Sequence, residues 1–72
     1  MLDRGKLVAM LAATEESIAA GTRLLEEQRL RIATLRREGQ DTLEAERVLV
    51  TLTETQQLHL QHRARLKREL GK

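Results

Sequence analysis

RREGQDTLE, residues 36–44, decides how this chain folds. It interrupts two long stretches that otherwise have no reason to stop being helix. Gly39 suits the left-handed residue that follows a helix, and Arg36 and Arg37 suit the negative end of its dipole. Asp41, with Glu44 three residues on, has the form of an N-cap and capping box opening a second helix. A connection this short makes consecutive helices antiparallel neighbours. The expected object is an all-α antiparallel two-helix hairpin, coiled-coil-like, spanning residues 1–72 as one unit, with helix 1 over about 3–38, a turn at 39–41 and helix 2 over about 42–70.

Composition agrees with that reading. Among 72 residues there is no proline, cysteine or aromatic side chain, and 33% are charged. That is the make-up of long helices. Without cysteine there is no disulfide framework and no thiolate metal cage, which points to a cytoplasmic setting. Without aromatic rings nothing can stack on a base. The apolar run Leu7–Ala13 is too short to span a bilayer and continues directly into helix, so a soluble, uncleaved chain is expected, with no membrane role.

Outward from the turn, helix 1 carries a 4-3-4-3 register of Leu7, Leu11, Thr14, Ile18, Gly21, Leu25, Gln28, Ile32 and Leu35. Helix 2 carries Ala45, Leu52, His59 and Leu66 on one heptad position, flanked by Val48, Thr55 and His62 on one side and by Leu49, Gln56, Arg63 and Leu70 on the other. Folding about residue 40 sets Gly21 opposite His59, so that a missing side chain makes room for an imidazole. A glycine inside a helix costs about 1 kcal/mol relative to alanine, and this pairing is the expected reason for it.

A single seam diluted by Thr14, Gly21, Gln28, Thr55 and two histidines is thin for so short a chain. Helix 1 also bears a second stripe of Met10, Ala13, Ser17, Ala20 and Leu24, and Leu58 and Leu60 flank the seam of helix 2. These seven residues form the candidate interaction surface, and the expectation is a homodimer that builds a four-helix bundle. A helical protein partner would use the same surface.

His59 and His62, spaced by three on a helix, share a face and could reach one metal ion, which makes a metal-binding bundle the rival reading. No cofactor is otherwise implied. The alternative for the histidines is a seam role, with Thr14, Ser17 or Gln56 as hydrogen-bond partners and chain register as the outcome. A third reading, a weak nucleic-acid binder, draws on Arg63, Arg65, Lys67, Arg68 and Lys72. Against it stand a net charge of only +2, the missing aromatics, and bases collected where dipole complementation alone would put them. Catalysis finds no support. Serine occurs once, at Ser17, there is no glycine-rich phosphate loop, and two helices enclose no concave site. The expected function is a small non-enzymatic protein–protein interaction or scaffolding module.

Gly39, Asp41 and Thr42, followed by His59, His62, Arg63, Arg65 and Leu66, resemble the Gly-x-Asp-Thr turn and the His-x-x-His-Arg-x-Arg-Leu segment of small hypothetical two-helix proteins found in alphaproteobacterial genomes. The resemblance covers about the second half of the chain. It implies a bacterial, cytoplasmic origin and no particular activity.

Overall fold

The structure, a computed structural model, describes residues 3–72. Helix α1 runs Arg4–Arg37 and helix α2 runs Leu43–Leu70, packed side by side as an antiparallel hairpin measuring 53 × 14 × 14 Å. Asp3 opens α1, its side chain accepting from the Lys6 amide at 2.8 Å.

The end of α1 is a Schellman closure. Gly39 takes φ +69°, its amide donates to the Arg36 carbonyl at 3.1 Å, and the Gln40 amide donates to the Leu35 carbonyl at 2.9 Å. Those bonds satisfy carbonyls that the helix end would leave orphaned, and only glycine adopts that φ without strain.

The start of α2 differs from the capping box expected at Asp41 and Glu44. Thr42 holds the capping position with ψ 0°, where its side chain caps no amide, and its hydroxyl donates instead to Glu46 Oε2 at 3.2 Å. Asp41 accepts from the Leu43 amide, two residues on, at 3.0 Å. Glu44 turns outward toward Arg47. The extra residue outside the helix carries the chain across from one rod to the other, so the aspartate acts as a turn former.

The seam of α1 is the one its spacing predicts, because Leu7, Leu11, Thr14, Ile18, Gly21, Leu25, Gln28, Ile32 and Leu35 are all buried or half-buried. In α2 the seam positions Ala45, Leu49, Leu52, Gln56, His59, Arg63, Leu66 and Leu70 are buried or half-buried, again at alternating spacings of four and three, and Glu46, Leu60 and His62 beside them are half-buried too. Of the two candidate flanks, the one containing Gln56 and Arg63 turns inward. Val48 and Thr55 stay exposed, and His62 is half-covered. Apolar anchoring is concentrated toward the two ends of the rod, at Ile32 and Ala45 near the turn and Leu66 near the termini, each less than a tenth exposed.

Candidate functional site

Polar side chains cross the seam with directed bonds along the rod: besides the Arg36–Glu46 pair near the turn and Arg4, which donates to the Leu70 carbonyl at 3.0 Å near the termini, two glutamines and an arginine do so. Gln28 Nε2 donates to the Ala45 carbonyl at 2.8 Å. Gln56 Nε2 donates to the Ile18 carbonyl at 2.9 Å and to Thr22 Oγ1 at 3.2 Å. Arg63 bonds Glu15 at 3.4 Å.

Gly21 receives Gln56, not His59. A Cβ placed on Gly21 would overlap the Gln56 carboxamide, lying 2.8 Å from Cδ and 3.3 Å from Nε2. The expected notch is real, but its occupant stands one turn earlier in α2. The physical reason is reach, since a glutamine from the flanking heptad position can lay its amide across α1 and bond a carbonyl and a hydroxyl there. An imidazole in the same slot has no such extension. His59 takes the next place along the seam with Nδ1 buried and unbonded. The hydroxyls expected to serve it are committed within their own helix, Thr14 to the Met10 carbonyl at 2.8 Å and Ser17 to the Ala13 carbonyl at 3.2 Å. Gln56 Oε1, against Gly21, is likewise buried and unbonded. Among the described residues these two are the buried side-chain nitrogen and oxygen atoms without a partner.

Beside this pair a groove of about 240 Å³ opens on one flank of the hairpin. Ser17, Ala20 and Leu24 form its α1 wall, Leu52, Thr55, Gln56 and His59 its α2 wall, and Gly21 lies between them. The expected interaction stripe is therefore gathered on one side, with Met10 and Ala13 extending it toward the termini. Leu58, three residues past Thr55 and 64% exposed, stands on the same flank. Leu60 does not join it. Two positions along a helix is roughly 200° of rotation, so Leu60 lies on the opposite flank, where the Arg63–Glu15 and Arg36–Glu46 ion pairs bridge the helices.

His59 and His62 occupy the seam and the groove flank respectively, both half-buried. Ligand imidazoles ordinarily donate their second ring nitrogen to a carbonyl or carboxylate, and His59 Nδ1 meets neither. Glu15, an acid of α1, is engaged by Arg63. Among the described residues no cluster of three or more histidine, aspartate or glutamate side chains could hold a metal ion. No helix among them is long and apolar enough to cross a membrane.

Glutamine as a cross-helix ligand of the seam is what sequence reading missed. The available signal was the four-three spacing of Ala45, Leu49, Leu52, Gln56 and His59, which admits Gln56 to the interior on the same terms as the leucines.

The features together define a helical hairpin with a polar waist and a neutral, grooved flank. Comparison with family models, with curated proteins and with solved structures gives no match.

Proposed function

We propose that this chain is a small non-enzymatic interaction module that works by helix–helix association through the flank carrying Met10, Ala13, Ser17, Ala20, Leu24 and Leu58. The observation that supports this most is the groove at mid-rod, whose α1 wall is made of small side chains while Leu24 and Leu58 project at its rims. Small residues let another backbone approach closely, and projecting leucines supply the area to bury. A photo-crosslinking side chain in place of Leu24 should give one discrete adduct in cells, and the same group in place of Val50, exposed on the far flank, should give none. Absence of any adduct from position 24 overturns the reading.

The metal-binding alternative separates from it in a simple titration. A ligand selective for the folded chain raises its melting temperature. Zinc, cobalt or nickel should leave the wild type no more shifted than the His59→Ala, His62→Ala double variant; a shift that needs the two histidines would favour metal.

A further inference from the structure

Resting on that reading, we infer that the occupant of the grooved flank is a second copy of this chain, docked antiparallel about a two-fold axis that passes the waist at Gly21 and Gln56.

Surface area is the first argument. A compact protein of 8.2 kDa exposes about 4,500 Å², whereas this chain exposes 5548 Å², roughly 1,000 Å² more. A dimer of ordinary size removes about 800 Å² from each partner. The excess is the size of one such interface.

Position is the second. Gly21 and Gln56 sit at the midpoints of α1 and α2, so the groove lies halfway along the rod. A two-fold axis there superposes the rods end for end along their whole length. The same flank carries both the recess and the leucines that would fill it, which is the self-complementarity a two-fold contact requires.

Charge is the third. Between Met10 and Leu24 on α1, and between Val48 and His62 on α2, the stripe positions of this flank hold no acidic or basic residue. Toward the turn the flank becomes acidic, with Glu27, Asp41 and Glu44 against Arg31 and Arg47, the last paired with Glu44 at 3.7 Å; Arg31, Asp41 and Glu44 line a second groove there. Toward the termini it becomes basic, with Lys6 and Arg65, while Glu69 is held by Lys72. From the waist, Glu44 lies about 18 Å toward the turn, and Arg65 and Lys6 lie about 14 and 22 Å the other way. End-for-end docking brings the glutamate of one copy between the two cations of the other. Parallel docking would set acid on acid. Complementary ends of this kind fix the orientation of a contact.

Sedimentation of the purified chain across the micromolar range tests the inference, with circular dichroism confirming helicity of every variant. The wild type should be dimeric. Leu58→Glu should weaken the dimer at least about tenfold by setting a charge in the contact, and Val50→Glu on the opposite flank should leave it unchanged. Glu44→Lys and Arg65→Glu should each dissociate alone, and mixing the two should restore a dimer, because only the mixed pair meets with opposite charges at both ends. A wild-type dimer indifferent to Leu58→Glu, or weakened by Val50→Glu, places the contact elsewhere and overturns the inference. Failure of the mixture to recover overturns the antiparallel arrangement. A monomeric wild type overturns the second copy as occupant, and the crosslink at position 24 then decides separately whether the flank binds something else.

Discussion

Gly21→Ala should destabilise this hairpin even though alanine is the better helix former. The helical gain is about 1 kcal/mol. Against it, the new methyl would overlap the Gln56 carboxamide, at 2.8 Å from Cδ, and must push it aside. The displaced amide gives up its bonds to the Ile18 carbonyl and to Thr22 Oγ1, held now at 2.9 and 3.2 Å. At about 1 kcal/mol net for each bond, the loss is roughly 2 kcal/mol and exceeds the gain by about 1. For a domain of this size that lowers the melting temperature by about 4–8 °C. In a Gln56→Ala background the obstacle is gone. There the same Gly21→Ala change should raise the melting temperature by a similar amount, so the two backgrounds differ in sign and the coupling is about 2 kcal/mol. The assay is thermal and urea unfolding followed by helical circular dichroism, at one fixed chain concentration so that association does not enter the comparison. If Gly21→Ala stabilises both backgrounds equally, the glycine is not making room for Gln56.

Further changes have directions set by the same structure. Leu66→Ala and Ile32→Ala, at positions 3% and 5% exposed, should each cost about 2–5 kcal/mol and abolish most of the helical signal, whereas Leu30→Ala at 69% exposed should move it by less than about 0.5. His59→Leu should raise the melting temperature, because it exchanges a buried, unbonded Nδ1 for an apolar group; an unsatisfied buried atom costs about 1–3 kcal/mol, and a fall would show that the nitrogen has a partner in solution. Gly39→Ala should lose about 1 kcal/mol at φ +69°, with Gly39→Asn losing less, since asparagine tolerates the left-handed region; equal stability of all three would refute the strain argument.

The parts legible from sequence were those set by local physics. Gly39 ends α1 by a conformational requirement that few other residues meet. The alternating spacing of α1 names its buried face because a straight helix with one apolar stripe has a single way to hide it. Pairing across the seam is a different kind of information. It depends on how far the connection carries the chain before α2 begins, and the shift from Asp41 to Thr42 at the cap sits beside a Gly21 partner one turn from the one expected. Apolar side chains tolerate such a displacement, since leucine against leucine is similar in neighbouring registers. Directed bonds do not. The Gln56 amide is satisfied only where a carbonyl and a hydroxyl of α1 are both within reach, and the Gln28 amide only at the Ala45 carbonyl.

The polar waist therefore has a task that the apolar ends cannot perform. Ile32, Ala45 and Leu66 hold the rods together, but the glutamines choose the register in which they are held. That choice decides what the flank presents. Slipping α2 by one turn would set His59 against Gly21 and move Leu52 and Thr55 away from Ser17 and Ala20, so that different side chains would line the groove. A buried glutamine with an unbonded Oε1 is costly as a stabilising device. As the part that aligns the two walls of the groove it has a reason to be there under the interaction reading proposed above, and the sign reversal expected of Gly21→Ala is a direct measure of how firmly that alignment is held.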